Sequence, residues 1–196
     1  MDDTLANIRH ERSKKDFPAL KLEDGEYVEY AFSRSNKCFL IIWGSVAFII
    51  LSLIFVFFVA KTSMSNFDNM GTNFLILIIG TLAAASVVAG LISTKVFSCN
   101  KLYITNRRVI QYIMLSPVAT SKNVIDLSSI EDASFRQTNI LQKLIGIGTL
   151  RLSTVGDETT YTLQYTDSIG GDELNGITKL IRTARNRLNN KVEEEN

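Results

Sequence analysis

Two stretches of this chain are continuously apolar, and the rest alternates or is polar. Cys38 to Ala60 runs 23 residues without a charge, and Phe74 to Ile92 runs 19. At about 1.5 Å of rise per residue, either stretch crosses a hydrocarbon core of roughly 30 Å as a helix. The first is too long and starts too late for a typical signal peptide, and no clear small-residue cleavage site follows it. The pattern therefore predicts retained helices over 38–60 and 74–94, joined by a short loop over 61–73. Neither carries an ionisable residue, which argues against a pump or ion-coupled transporter and for spans that anchor. The middle of the second is rich in small residues. Gly80, Ala84 and Gly90 mark where it is expected to pack closely, within the hairpin or on a second copy.

From Cys99 the period changes to two. Lys101 to Ile104 and Val109 to Leu115 flank Thr105-Asn106-Arg107-Arg108, which reads as a hairpin turn. Val124 to Leu127, Ile130 to Gln137, Gly148 to Val155 and Thr159 to Tyr165 are further candidate strands. Leu150, Leu152 and Thr154 share one face, as do Tyr161, Leu163 and Tyr165 on the next strand, with a turn at Gly156-Asp157 between them. The connections are too short for crossover helices, so the pairing is antiparallel. The end is helical: Leu174, Ile177, Leu180, Ile181, Ala184 and Leu188 recur at three- and four-residue steps, with Asp172 as N-cap. The fold class is α+β: a two-helix transmembrane hairpin plus a small antiparallel β domain over 99–190, a bent sheet or partial barrel closed by a C-terminal amphipathic helix. The acidic tail, 191–196, is expected to be solvated.

Ahead of the first span, residues 1–19 read as a mobile polar terminus. Residues 20–37 read as an extended juxtamembrane segment. Asp24-Gly25 is a turn signal, and Tyr27, Val28, Tyr30 and Phe32 favour extended backbone. Two readings stay open: this segment adds a strand to the sheet, or it lies on the membrane with Tyr30 and Phe32 as interfacial anchors.

Charge then sets topology rather than chemistry. The net charge of +1 gives no global field toward nucleic acid, and no nucleic-acid partner is expected. Arg34 and Lys37 precede the first span, and Lys95, Lys101, Arg107 and Arg108 follow the second, whereas the loop between holds only Lys61. This predicts a multi-pass protein of the cell membrane with both termini cytoplasmic. The two cysteines, Cys38 and Cys99, are too few for a disulfide framework and read as packing residues at span ends, with lipidation as the sharper alternative. With the single histidine, His10, in a polar tail, neither a multi-ligand zinc site nor Ser–His or Cys–His chemistry is expected. No cofactor, metal or catalytic residue is assigned. Gly146-Ile147-Gly148 is followed by Arg151 where a third glycine would stand, and by no Lys-Ser/Thr pair, so it reads as a tight turn rather than a phosphate loop.

Asn100 to Ile110, NKLYITNRRVI, resembles the bacterial pleckstrin-homology-like (PH) membrane proteins, as do Ser128 to Glu131, Gly146 to Leu150, and Leu22 to Glu26 ahead of the first span. The resemblance covers roughly residues 20 to 190. It implies a seven-stranded, strongly bent sheet with a C-terminal helix, and no catalytic activity.

In lipid-binding members of the fold, basic residues of the first hairpin contact headgroups, so the resemblance makes Arg107 and Arg108 candidate headgroup ligands. The bland reading has one of them stabilise the turn or pair with an acidic neighbour. Ile140 to Ile147 is apolar around Lys143. Core packing after Phe135 is the preferred reading. The alternative is a wedge dipping into the membrane, with Lys143 reaching the phosphates. The expected function is a non-enzymatic, membrane-anchored module that binds membrane lipids or partner proteins. The alternative is an accessory or self-assembling subunit of a larger membrane complex.

Overall fold

A computed structural model describes residues 2–63, 69–154 and 160–194. The chain divides into two compact units: residues 36–97, and a β domain assembled from the residues up to 35 and from 98 onward. The β domain is therefore interrupted by the apolar hairpin.

In the β domain, strands β1 (Val28–Ser33), β2 (Lys101–Thr105), β3 (Arg108–Met114) and β4 (Thr120–Asp126) form one antiparallel sheet in that order. A 3-10 turn (Leu127–Ser129) leads to a second antiparallel sheet of β5 (Ile130–Arg136), β6 (Ile147–Thr154) and β7 (Thr160–Asp167). Alternation decides what faces inward. Phe32 pairs with Leu102, and Ile104 with Val109, so these side chains share the inner face. They join Ile130, Leu150, Leu152 and Leu163 of the second sheet in one buried core. Helix α5 (Gly171–Glu194) packs on β5 and the 3-10 turn, with Ile177 and Ile181 fully buried in that core. Its stripe runs out at Leu188, which is about half exposed. The helix starts two residues earlier than expected, so Asp172 lies in its first turn, where the N-terminal dipole favours a carboxylate, rather than at the N-cap.

The open question about residues 20–32 has a clear answer. Tyr30 to Ser33 pair with Ile104 to Lys101, making β1 a full member of the sheet. Phe32 is a core residue, and Tyr30 stacks on it at 6.2 Å, so neither serves as an exposed membrane anchor. Within residues 1–19, read from the sequence as a mobile polar terminus, the structure has a helix and apolar contacts with the sheet. Asp2–Asp16 form helix α1, and Phe17, Leu20 and Leu22 cover the outer face of the first sheet against Tyr103, Ile110 and Tyr112. Polar contacts tie the helix down: the Ser13 hydroxyl accepts the Val28 N–H at 3.0 Å, and Arg9 lies over the Tyr27 ring and 3.3 Å from Glu29.

Two strand details depart from simple alternation. β4 starts at Thr120, four residues before the apolar Val124 that signalled it. On β7 the register with β6 shifts between Gly148 and Thr149, leaving Tyr165 as a bulged residue with φ +61°. Tyr165 is consequently partly exposed, and Thr166 takes the buried place. The Gly156-Asp157 turn and the last residues of the acidic tail, Glu195 and Asn196, lie outside the described residues, as does the middle of the 61–73 loop.

The hairpin unit contains α2 (Lys37–Ser63) and α3 (Asn69–Ser98), both long and apolar enough to cross a membrane. Each extends beyond its uncharged run.

Gly148 shows how close the second sheet packs. A Cβ there would collide with the Phe135 ring and lie 2.8 Å from the Arg136 carbonyl oxygen, whereas one at Gly170 would meet nothing within 4 Å. Gly148→Ala is expected to cost about 1–3 kcal/mol. Gly170→Ala should stay within about 0.5 kcal/mol of wild type. Thermal unfolding of the full chain in detergent checks both.

Candidate functional site

The β domain has two functionally distinct ends. At one, the β2–β3 turn meets the Asp24-Gly25 turn. Gly25 adopts φ +73°, a backbone conformation in which a side chain is strained. The turn delivers Glu26 into a fully buried position. There its carboxylate accepts from Arg108 Nε at 2.9 Å and Nη2 at 2.7 Å, from the Thr105 hydroxyl at 2.9 Å and from the Glu23 N–H at 2.9 Å. The Asn106 side chain accepts the Tyr27 N–H and donates to the Gly25 carbonyl, both at 3.2 Å. Burial pushes the Glu26 carboxyl up. The Arg108 guanidinium, the Glu23 N–H and the Thr105 hydroxyl together outweigh it and hold the group below its ordinary range.

This geometry commits one of the first two headgroup candidates to the fold. Arg108 is committed to Glu26, to Glu23 at 2.9 Å and to the Lys21 carbonyl at 3.2 Å, which is the structural reading of that residue. Arg107 is more exposed and sits 3.5 Å from Glu23. Two of the four sequence stretches that carried the resemblance, Leu22 to Glu26 and Asn100 to Ile110, are thus halves of one interlock, hidden in the sequence because Glu26 and Arg108 are 82 positions apart.

The other end is where the chain leaves for the hairpin unit and returns. β1 ends there at Ser33 and β2 begins at Lys101, so β3 ends there at Met114 and β4 begins at Thr120. Arg34 bridges to Thr166, bringing the start of β6, the end of β5 and the end of β7 to the same place. Lys143 lies at this end, on the short helix α4 (Ile140–Ile145). The helix is held at both termini. Gln142 Oε1 accepts the Thr138 N–H at 2.8 Å, and Gly146 closes the helix in the left-handed region at φ +71°.

The preferred expectation for 140–147, core packing, is overturned for most of the segment. Ile147 is buried, but Ile140, Leu141 and Leu144 are 86%, 67% and 81% exposed. On the β3–β4 turn at the same end, Leu115 and Val118 are 75% and 94% exposed. Beside that turn, a cavity of about 420 Å³ opens on the outer sheet face, lined by Phe17, Leu20, Cys99, Tyr103, Tyr112 and Met114 among others. Burial, with Tyr112 beside it, pushes the Tyr103 hydroxyl up, so it stays neutral and can donate a hydrogen bond.

Within the hairpin unit, a Cβ at Gly90 would come within 2.9 Å of a Val46 methyl. Gly80 and Ala84 do not share that face. Both are exposed, and nothing lies within 4 Å of where a Gly80 Cβ would stand. One helical turn separates 80 from 84, whereas 90 falls on another face.

His10 Nδ1 lies 2.6 Å from the Glu26 carbonyl oxygen and so donates to it. Among the described residues, no group of three or more His, Cys, Asp or Glu side chains stands close enough to hold a metal ion.

At neutral pH, Arg108→Met is expected to cost about 3–5 kcal/mol, because it leaves Glu26 buried without its counter-charge. Glu26→Gln should cost less, since Arg108 keeps Glu23 and water. The folded-state pKa of Glu26 is lowered, so its contribution is complete above the ordinary carboxylate range and is lost as pH falls through the folded value. Urea unfolding of the full chain across pH should therefore show the gap between wild type and Glu26→Gln closing on acidification. A pH-independent gap would contradict the assignment.

No protein-family model matches the chain, and no curated protein matches it. Among solved structures, it is similar to a DUF1696 family protein with a pleckstrin-homology domain from Shewanella loihica PV-4, at 17% identity and a TM-score of 0.31, over 44% of this chain and 70% of that one.

Proposed function

We propose that this chain is a multi-pass membrane protein in which a helical hairpin holds a PH-like, non-enzymatic binding module at the cytoplasmic face of the cell membrane. The observation that carries this reading is the nature of the insertion between two hydrogen-bonded neighbours. β1 and β2 are adjacent strands, yet the chain between them forms two long helices whose Leu40, Phe48, Phe55 and Phe74 side chains point outward. In water so large an apolar surface drives association, whereas in hydrocarbon it is the required solvent contact. Arg34, Lys37, Lys95 and Lys101 at the open side of the hairpin, against Lys61 alone at its tip, favour cytoplasmic termini.

The PH-like reading is supported by four plus three antiparallel strands followed by an amphipathic helix on the core. Fold does not fix function, so the binding role rests on the domain's surface. A tethered domain meets membrane lipids at high effective concentration, so weak contacts suffice. Catalysis is disfavoured because the single histidine is spent on a backbone carbonyl. A second reading, an accessory subunit of a larger assembly, draws on β4. It is the outer strand of its sheet and carries the half-exposed Val124, an edge that suits strand addition by a partner.

Alkaline carbonate washing of membranes containing the chain should leave it in the pellet. Trypsin should remove the β domain in inverted vesicles and spare it in right-side-out ones. Release by carbonate would overturn the anchor, and the opposite protease pattern would reverse the orientation.

A further inference from the structure

The five most exposed large apolar side chains described in the β domain are Ile140, Leu141 and Leu144 of α4 and Leu115 and Val118 of the β3–β4 turn. Strand directions gather all five at one end, the end where the chain departs for the hairpin. Nothing in the alternation of the sheets requires this, because each turn at the opposite end is equally free to carry apolar residues.

The covalent path identifies what these side chains meet. Ser35 still belongs to the domain: its N–H donates to the Tyr165 carbonyl at 2.7 Å and its hydroxyl to Asp167 at 2.7 Å. α2 begins at Lys37, so Asn36 alone separates the last anchored residue from the helix, and the uncharged run starts at Cys38. On return, α3 ends at Ser98, and by Asn100 the chain is back in the domain, its side chain accepting the Met114 N–H at 2.6 Å. Each connection reaches about 7 Å at most. On the membrane reading, these short connections tether Ser35 and Asn100 close to where the helices enter the bilayer.

We propose that α4 and the β3–β4 turn form a membrane wedge: their apolar side chains insert into the interfacial region of the bilayer that the hairpin spans, and Lys143 and Arg136 beside them reach its phosphates. The occupant of this surface is the lipid itself. The local build fits that task. α4 is capped at both ends, so Ile140, Leu141 and Leu144 stand on a fixed turn of helix, and Pro117 stiffens the other prong. Lys143 follows Leu141 by two positions, off the apolar face, where a flexible ammonium extends to headgroups while the leucines go deeper. The wedge turns a tether into a two-point mount and sets the face that the domain presents to the cytoplasm.

This inference rests on reading 36–97 as a membrane hairpin, and one experiment separates the two. Trp43 is the sole tryptophan and lies in α2, so its quenching by a nitroxide-bearing phosphatidylcholine reports hairpin insertion. The full chain is reconstituted in vesicles of equal phosphatidylcholine and phosphatidylglycerol. Cys38→Ala and Cys99→Ala remove the native thiols, and an environment-sensitive fluorophore is placed at Leu141→Cys, at Val118→Cys, or at Asp132→Cys on the opposite end. With Trp43 quenched in unlabelled protein, the labels at 141 and 118 should be blue-shifted and quenched to a comparable extent, and the label at 132 should emit as in water. Water-like emission at 141 and 118, with Trp43 quenched, overturns the wedge and leaves the hairpin standing. A blue shift at 141 without nitroxide quenching means protein covers the patch and also overturns it. An unquenched Trp43 removes the hairpin and the wedge together. Leu144→Cys, one turn along α4, repeats the test should Leu141→Cys misfold by circular dichroism.

Discussion

A buried carboxylate stays charged only where its partners outweigh the loss of water, and the β domain is organised around one such site. Glu26 is fully enclosed and its charge is held by Arg108, Thr105 and the Glu23 amide. The pair joins the segment before the hairpin to the first β-turn after it. Closing a sheet across an insertion of 62 residues carries an entropy cost that local strand pairing alone meets poorly. A charged, multidentate lock of fixed geometry favours the observed pairing of β1 against β2. Much of the remaining architecture follows. With β1 in register, Phe32 completes the core and the outer face is presented to Phe17, Leu20 and Leu22.

The lock has a geometric corollary. It sits at the end of the sheet away from the hairpin, while the connections at 34–36 and 99–100 sit at the other. The buried ion pair of Glu26 and Arg108 sits at the distal end; exposed apolar surface gathers at the proximal one. Had the same leucines and isoleucine been on the distal turns, they would constitute an aggregation hazard with no nearby apolar phase. Under the proposed membrane reading, their placement beside the connections gives them one.

The parts of this fold that were legible in the sequence are those whose cause is local. Continuous apolarity over 38–60 and 74–94 announces the hairpin helices, and alternation such as Leu150, Leu152 and Thr154 announces β6 with the correct buried face. What escaped depends on distant partners or on symmetry between inside and outside. Residues 20–32 could be read as strand or surface because their partner β2 lies beyond the whole hairpin. α1 has no apolar period, being held instead by Ser13, His10 and Arg9, each through a single polar contact. Tyr165 follows the alternation of β7 until a bulge turns it outward. The candidate site divided along the same line. Arg108 is basic and near a span in sequence, yet its guanidinium belongs to Glu26. Ile140 to Ile145 has the composition of a core segment and of a wedge alike, and only its exposure distinguishes them.

Hydrogen–deuterium exchange on the full chain in lipid nanodiscs tests the central claim, that the four-stranded sheet of the domain is built across the hairpin. The amides of residues 30–33 and 102–104 should be protected to the same extent and open together when Glu26 is replaced by glutamine. Rapid exchange at 30–33 while 102–104 remain protected would contradict the account, for β1 would then be a peripheral strand and the lock an incidental ion pair.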